Sequence, residues 1–151
     1  MSESCPMCRR WEEQPELRIA ELEHTRLLLN GDQFFPGYTF VIARRHITEL
    51  FHLDSETRGS LMEEVNRTAE ALFAVFRPAK MNYELLGNMV PHMHWHLVPR
   101  FSDDPLWPRP IWSEPHAEKL LASEEYRERI EQIRRALRQA DSDPRPFASL
   151  T

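Results

Sequence analysis

The sequence of 151 residues predicts an α+β fold, in which helices pack on an antiparallel sheet. Three observations lead to this prediction. Short segments rich in β-branched and aromatic residues are separated by turn-forming clusters, as in neighbouring antiparallel strands. One long amphipathic helix interrupts these strands, and a second helix follows them. Apolar residues make up 41% of the chain, which is enough for the core of one compact domain.

The predicted strands are short and end at turn-forming residues. Asn30-Gly31-Asp32 and Pro36-Gly37 are turn signals that separate the second strand from the third. The third strand, with the sequence YTFVIA, is rich in β-branched and aromatic residues and is expected to be buried. The five predicted strand segments are residues 17–23, 26–29, 38–43, 81–86 and 91–100.

Two helices are predicted from apolar residues at helical spacing. The first begins at Asp54-Ser55-Glu56-Thr57, where a short polar side chain can cap the helix, and it ends before Pro78. The second begins near Ser123 and carries many charges around an apolar stripe. The stripes consist of Leu61, Val65, Ala69, Leu72, Phe73 and Phe76 in the first helix and of Tyr126, Ile130, Ile133 and Leu137 in the second.

These elements define one predicted domain over residues 1–140. Its parts are an N-terminal segment (1–16), a core (17–101), and a proline-rich arm that leads into the C-terminal helix (102–140). The arm is expected to be ordered but irregular and to lie over the surface, because prolines exclude regular elements. The polar residues 141–151 are expected to form a loose tail.

Charge and composition exclude some partners. The net charge is −5 and no basic run is present, so binding to nucleic acid is not expected. No apolar run approaches the roughly 20 residues of a membrane-spanning helix, and the N-terminus lacks the pattern of a signal peptide. We therefore expect a cytoplasmic protein that does not associate with membranes.

Three histidines occupy every second position in the last predicted strand. Side chains alternate between the faces of a strand, so His92, His94 and His96 are expected on one face and Trp95 in the core on the other. Each imidazole would need a polar partner in a core, so a chemical role is the better explanation. A neutral imidazole can attack phosphorus, and its neighbour can donate a hydrogen bond to a phosphate oxygen. A metal-binding row and exposed histidines without a role are the alternatives.

The two cysteines of the chain lie close together, as Cys5-x-x-Cys8. In the cytosol such a pair is a metal clip or a redox pair more often than a structural disulfide. The spacing allows both thiolates to reach one ion at about 2.3 Å, but it supplies only two ligands of a structural zinc site. A pair of reduced thiols without metal is the alternative.

The segment His92-Met93-His94-Trp95-His96-Leu97-Val98 resembles the histidine triad (HIT) family, whose mark is His-φ-His-φ-His-φ-φ, with φ apolar. The resemblance extends over residues 17–101 and implies the α+β HIT fold. Leu86-Gly87-Asn88 and the triad are similar to a bacterial branch described as diadenosine polyphosphate hydrolase-like. Further segments that follow the order of the family are Asn30, Pro36-Gly37, Arg44-Arg45-His46 and Val98-Pro99-Arg100.

The resemblance implies a nucleotide hydrolase or nucleotidyl-transfer enzyme that acts on an α-phosphate. His94 would be the nucleophile and would form a covalent nucleotidyl-histidine intermediate, which water then hydrolyses. His96 would contact the phosphate or the leaving group, and His92 would orient the row. Dinucleoside polyphosphates are the favoured substrates, followed by nucleoside phosphoramidates and adenylylated adducts. Mg²⁺ bound together with the substrate is a further expectation.

Two asparagines match positions of the family that contact the substrate. Asn30 would contact the ribose, and Asn88, next to Gly87, would contact phosphate. Both are also common turn residues, which is the alternative role for each. Tyr38 stands where histidine is common in the family, and Met89 stands where a small hydroxyl residue is frequent. These two differences bear on the leaving group and on the length of the substrate.

In several relatives a cysteine pair joins a distal histidine and the first triad histidine around a structural zinc ion. The resemblance therefore implies Zn²⁺ bound by Cys5, Cys8, His46 and His92, and it also implies a homodimer formed through helix and sheet edge. The tryptophans of the arm could cover the nucleotide or a partner subunit, or simply pack the arm. Two other functions stay open: a zinc-stabilised nucleotide-binding or sensing module with little turnover, and a metalloenzyme whose three triad histidines hold a catalytic metal.

Overall fold

The structure is a computed structural model that describes residues 4–142, without the side chain of Ser142. The strands form one antiparallel sheet of five strands in the order β1-β2-β3-β5-β4, which confirms the predicted α+β class. The helices are α1 (Pro6–Glu13), α2 (Ser55–Phe76) and α3 (Ser123–Ser142), and the strands are β1 (Arg18–Glu21), β2 (Thr25–Leu29), β3 (Thr39–Ala43), β4 (Lys80–Leu85) and β5 (His94–Arg100).

The sheet separates two apolar clusters. On one face, Trp95 of β5 packs with buried residues of α2 and α3 such as Leu72 and Ile133, so the predicted core position of Trp95 is confirmed. On the other face, Phe40 and Val98 pack against α1 and against the arm between β5 and α3. Both faces of the central strands are therefore covered, which explains why β3 and β5 are buried along their whole length.

The long helix α2 begins and ends where the sequence predicts. The carboxylate of Asp54 accepts a hydrogen bond from the backbone N–H of Thr57 at 2.9 Å and caps the first turn. This bond and a second one from the Thr57 hydroxyl lower the pKa of Asp54 below its ordinary value. Arg77 ends the helix with a φ of 50°, in the left-handed region, and Pro78 then prevents its continuation.

The other two helices differ from the prediction. Residues 6–13 form α1, which the local sequence pattern does not predict; Pro6 occupies its first turn, and the burial of Met7 and Cys8 holds the helix against the sheet. The helix α3 runs to Ser142, so residues 141 and 142, predicted as the start of a loose tail, are helical. The rest of that predicted tail lies outside the described residues. Among the helices that the structure describes, none is long and apolar enough to cross a membrane.

The arm is ordered and irregular, as predicted. It buries Leu106 and Ile111 in the cluster on the histidine side of the sheet. Arg100, at the end of β5, anchors it: the guanidinium is almost fully buried and donates hydrogen bonds to both carboxylate oxygens of Asp104, at 2.7 and 3.0 Å. A third donation reaches the backbone carbonyl of Arg109 at 2.9 Å, so one buried cation ties two residues of the arm to the sheet.

Candidate functional site

The histidine row lies on β5 and in the loop before it. The strand begins at His94, so the predicted strand start at residue 91 is wrong by three residues. The backbone N–H of His92 donates to the carbonyl of Val90 at 2.8 Å, which bends the chain out of the sheet ladder at this point. His94 and His96 lie on the Phe40 side, at ring-centroid distances of 6.3 and 5.3 Å from that phenyl ring. His92 instead turns towards the N-terminal segment.

A hydrogen bond orients the ring of His94 and leaves one of its two nitrogens without a hydrogen-bond partner within residues 4–142. Its Nδ1 lies 2.5 Å from the backbone carbonyl oxygen of His92, and a carbonyl can only accept, so Nδ1 carries the hydrogen. The lone pair is then on Nε2, for which the described residues provide no hydrogen-bond partner. Burial lowers the pKa of His94 below its ordinary value, which keeps the ring neutral near pH 7. A neutral imidazole with a free nitrogen is able to act as a nucleophile.

His96 is oriented by a residue that was not predicted to belong to the site. The hydroxyl of Tyr38 lies 2.5 Å from Nδ1 of His96. Burial raises the pKa of Tyr38, so the hydroxyl stays protonated and donates to Nδ1, which leaves the hydrogen of the imidazole on Nε2. Burial lowers the pKa of His96 to about 4, and the electrostatic effects of His94 and Arg10 act in the same direction. The sequence marked Tyr38 only as a departure from the family pattern.

The arm supplies a second neighbour of His96. The indole of Trp112 meets the imidazole edge to face at a centroid distance of 5.4 Å, and its Nε1–H donates a hydrogen bond to Glu84. Glu84 pairs with His96 across β4 and β5, so the tryptophan is fixed over the end of the row. Of the alternatives for the arm, contact with the site is therefore realised by Trp112, whereas Trp107 lies near Arg100.

The N-terminal segment brings a four-residue cluster to His92. Cys5, Cys8, His46 and His92 each direct one ligand atom to a common point, and these atoms lie within 4.8 Å of one another. Nδ1 of His92 is 3.5 Å from the Cys5 sulfur and 3.4 Å from the Cys8 sulfur, and Nδ1 of His46 is 3.3 Å from Cys8. A tetrahedral zinc ion with ordinary bond lengths would separate sulfur and nitrogen ligands by about 3.6 Å. The predicted ligand set therefore fits a tetrahedral metal ion.

The tautomer of His92 agrees with a ligand role. Its Nε2 lies 2.7 Å from the carbonyl oxygen of Ala43, so Nε2 carries the hydrogen and the lone pair of Nδ1 faces the two sulfurs. Burial lowers the pKa of His92, and the neutral form is the one that binds metals. Among the described residues no second such cluster of cysteine, histidine or carboxylate ligands is present, so the expected Mg²⁺ has no support from protein ligands.

The two predicted asparagines lie in different loops. Asn30 follows β2, and its backbone N–H donates to the carbonyl of Tyr38 at 2.8 Å, so it lies at the His96 end of the site. Asn88 is exposed in the loop between β4 and β5. Gly87 precedes it with a φ of 79°, which explains the choice of glycine in this turn.

A cavity of about 410 Å³ lies elsewhere, between the end of β3 and the start of α2. None of the predicted site residues lines it. Its Arg44 is 3.4 Å from the carboxylate of Glu21 and donates to the carbonyl of Leu22, so the positive charge is already compensated. The histidine row, with two neutral imidazoles and a metal-ligand cluster beside it, is the better candidate site.

Fold and site together define an α+β protein with paired neutral imidazoles on a central strand and a cysteine-histidine cluster next to them. The HIT domain model matches residues 12–103, well over half of the chain, and the chain belongs to the HIT family. Nucleotide binding and hydrolase-type or transferase-type chemistry are general properties of this family.

Three similar proteins illustrate the family relationship. Protein hit of Bacillus subtilis is 29% identical over 92 residues, which are 58% of this chain and 63% of the relative, so the match spans less than two thirds of that protein. A histidine triad protein from Bradyrhizobium japonicum has a TM-score of 0.74 at 29% identity, covering 83% of this chain and 94% of that one. A zinc-bound histidine triad family protein from Mycobacterium smegmatis has a TM-score of 0.66 at 27% identity, covering 92% and 96%.

Proposed function

We propose that this protein is a nucleotide hydrolase or nucleotidyl-transfer enzyme in which His94 attacks the α-phosphate of a dinucleoside polyphosphate. The observation that carries the proposal is the 2.5 Å hydrogen bond between Nδ1 of His94 and the carbonyl of His92. It holds the hydrogen on Nδ1 and leaves Nε2 ready to form a bond to phosphorus, while burial keeps the ring neutral through its lowered pKa.

The reaction proceeds in two displacements. First, a bond forms between Nε2 of His94 and the α-phosphorus, and the P–O bond to the leaving phosphate breaks with its electron pair on the leaving oxygen. Second, water attacks the phosphorus of the nucleotidyl-histidine, the P–N bond breaks with its electrons on Nε2, and the proton of the water goes to solvent. A different nucleophile in place of water gives nucleotidyl transfer. Splitting one displacement into two lowers the barrier of each.

His96 assists by hydrogen bonding. Because Tyr38 donates to Nδ1, the Nε2–H of His96 is available for a phosphoryl oxygen, on which negative charge develops. With a pKa of about 4 the ring is neutral at pH 7 and carries no second proton to release. A phosphate leaving group, whose second pKa is about 6, departs as an anion and needs no such proton. This favours dinucleoside polyphosphates over phosphoramidates, whose amine leaves only after protonation.

Three further contacts belong to the same proposal. Asn30 binds the ribose at the His96 end of the site, where its backbone contact with Tyr38 supports this position. The loop that contains Gly87 and Asn88 meets the phosphate groups. Trp112, which is half exposed and packs edge to face on His96, offers an aromatic surface to the base.

We propose that Cys5, Cys8, His46 and His92 hold a structural Zn²⁺. The fit of their ligand atoms supports this assignment, as does the zinc-bound neighbour from Mycobacterium smegmatis. When bound, the ion neutralises the thiolates and fixes the N-terminal segment to the start of β5. His92 then positions His94 through its backbone carbonyl and takes no direct part in the chemistry. A catalytic metal held by all three triad histidines is less well supported, because the free Nδ1 of His92 faces the two cysteine sulfurs and Nε2 of His96 carries a hydrogen.

The proposed assembly is a homodimer formed through β4 and α2. β4 is an edge strand of the sheet, so its outer backbone groups are available for a partner. Tyr83 and Leu85 on this strand and Phe73 on α2 are exposed apolar residues, with exposed fractions of 51%, 37% and 50%. Exposed apolar residues beside a free strand edge are typical of a subunit interface.

The test is turnover of diadenosine tetraphosphate by the wild type, by His94→Asn and by His52→Asn. We expect the His94 variant to lose roughly 10³-fold or more in activity and the His52 variant to resemble the wild type. Turnover that persists in His94→Asn would rule out the covalent mechanism. Tight binding without turnover in the wild type would support the sensing module. Loss of kcat at saturating substrate on addition of a chelator, while the fold stays intact, would support a catalytic metal.

A further inference from the structure

Arg10 of α1 carries a positive charge to the histidine side of the sheet. Its guanidinium carbon lies 4.4 Å from the centre of the Phe40 ring, in a cation–π contact. Phe40 pairs with His96 in the register of β3 and β5, and the two rings are 5.3 Å apart. Only one aromatic ring therefore separates this cation from the proposed phosphate site.

None of the residues that the structure describes neutralises the charge of Arg10. Nε donates to the side-chain oxygen of Gln14 at 2.9 Å, and Nη1 lies 4.0 Å from the sulfur of Met7, so both partners are uncharged. Between residues 4 and 142, no carboxylate lies within ion-pair distance of this guanidinium. The side chain of Arg10 is partly buried, so water shields its charge only in part. A partly buried cation without a carboxylate partner is unfavourable unless an anion binds to it.

Other arginines of the chain show the contrast. Arg9, one residue earlier on the same helix, is 3.1 Å from the carboxylate of Glu13. Arg100, also on the histidine side, binds both oxygens of Asp104. Arg10 therefore differs from its neighbour on α1 and from the other buried guanidinium on this side of the sheet.

We propose that Arg10 binds the phosphate groups beyond the reacting α-phosphate and thereby selects nucleotides by the length of their phosphate chain. The inference rests on the proposed function. A guanidinium presents paired donors that match the oxygens of phosphate. Because the chain has a net charge of −5, a local cation is also needed to hold a polyanion against general repulsion.

The position of Arg10 depends on the cysteine-histidine cluster. Cys5 immediately precedes α1 and Cys8 lies within it, so the cluster fixes the helix that carries Arg10 two residues later. Loss of the metal should therefore weaken binding of polyphosphate even though the metal does not touch the substrate. This links the structural site to substrate selection.

The experiment measures binding of adenosine, AMP and ATP by calorimetry to the full chain carrying His94→Asn, which prevents turnover. In this parent we compare Arg10→Gln with Arg9→Gln, the matched change one residue away. We expect Arg10→Gln to weaken ATP binding roughly 10–100-fold, AMP binding less than about 3-fold and adenosine binding not at all. The Arg9 variant should bind like the parent, and chelation of the parent should lower its ATP affinity in the same direction. Zinc content and circular dichroism verify the fold of each variant.

The outcomes separate this inference from the function on which it rests. The role of Arg10 is overturned, and the proposed function stands, if the parent binds ATP and Arg10→Gln binds ATP equally well. The same holds if Arg10→Gln weakens the binding of AMP as much as the binding of ATP. If the parent binds none of the adenine compounds, the proposed function itself fails. Should Arg10→Gln not fold, Arg10→Met replaces it, because methionine keeps the packing on Phe40 and removes the charge; the same fold-changes are expected.

Discussion

The Tyr38 hydroxyl donates to Nδ1 of His96 across a distance of 2.5 Å and thereby decides which nitrogen of that imidazole carries the hydrogen. Burial raises the pKa of Tyr38, so the hydroxyl remains protonated and able to donate at neutral pH. In the proposed mechanism Tyr38 is therefore a positioning residue, which acts on substrate only through the Nε2–H of His96.

Replacing Tyr38 with phenylalanine should lower kcat by roughly 10–100-fold, because His96 then loses the hydrogen bond that fixes its tautomer and one phosphoryl donor becomes disordered. KM for diadenosine tetraphosphate should change less than kcat, since the effect falls on the transition state. Tyr83→Phe, at an exposed tyrosine, is the control and should leave both constants unchanged. Tyr38→His should restore part of the activity, because imidazole can also donate to Nδ1. Equal losses in the phenylalanine and histidine variants would contradict the hydrogen-bonding role.

The sequence predicted the row but not its internal arrangement. Alternation along a strand is a local property, so a period of two is enough to place His94 and His96 on one face. The hydrogen position on each ring depends on partners elsewhere: a bend in the backbone at His92 and a tyrosine 58 residues away in the chain. A lone sequence contains no signal for such pairings. In the sequence, Tyr38 stands out only because histidine is common at this position in the family.

Local sequence patterns do not predict two other parts of the site. The pair Cys5 and Cys8 supplies two ligands, while His46 and His92 are 38 and 84 residues from Cys8, so spacing alone could not complete the set. The short helix α1 was missed because eight polar and mixed residues form no stable helix by themselves; burial of Met7 and Cys8 stabilises it. By contrast, α2 has both a cap and a long apolar stripe, and it was predicted almost to the residue.

Loss of one cluster ligand should release the metal. His46 and His52 are both exposed histidines in the connection between β3 and α2, but only His46 points at the cysteines. We expect one equivalent of zinc per chain in the wild type and in His52→Asn, and a strongly reduced content with a lower thermal midpoint in His46→Asn. Metal analysis and thermal unfolding measure both. Unchanged zinc in His46→Asn and in Cys8→Ser would contradict the assigned ligand set.

The buried His96 should make stability depend on acid pH. Its pKa is about 4 in the folded protein, below the ordinary 6.5, so the folded state resists protonation. The corresponding stability is fully present above about pH 6.5 and is lost as pH falls towards 4, because there only the unfolded chain binds the proton. The groups facing the ring are His94, Tyr38, Arg10 and Glu84, and the electrostatic effects of His94 and Arg10 both act in this direction.

His96→Gln removes this titration. The slope of unfolding free energy against pH between 6.5 and 4 should therefore be smaller in the variant than in the wild type, by at most about 1.4 kcal/mol per pH unit. Denaturant unfolding at a series of pH values measures it, with His52→Gln as the matched change at an exposed histidine. Parallel curves for the wild type and His96→Gln would show that His96 is not buried as a neutral ring.

The state of His96 also predicts a preference among leaving groups. A neutral ring offers a hydrogen bond but no proton, so substrates that release phosphate should react faster than those that release an amine. We expect kcat/KM for diadenosine tetraphosphate to exceed that for adenosine phosphoramidate by at least about 10-fold at pH 7.5, and the ratio to fall as pH is lowered. A preference for the phosphoramidate at pH 7.5 would mean that His96 is protonated when substrate is bound.

The exposed edge of the sheet predicts where two copies meet. Tyr83 and Leu85 share one side of β4, and Phe73 of α2 is exposed as well, so a charge at this strand should disrupt association by placing an ion in an apolar contact. From the proposed homodimer, we expect the wild type to sediment as a dimer and Leu85→Asp as a monomer at the same concentration. Phe51→Asp, at a phenylalanine that is 75% exposed and outside β4 and α2, is the control and should remain dimeric. Dissociation by Phe51→Asp but not by Leu85→Asp would move the interface to the 3₁₀ turn that carries Phe51, and β4 would then be a free edge.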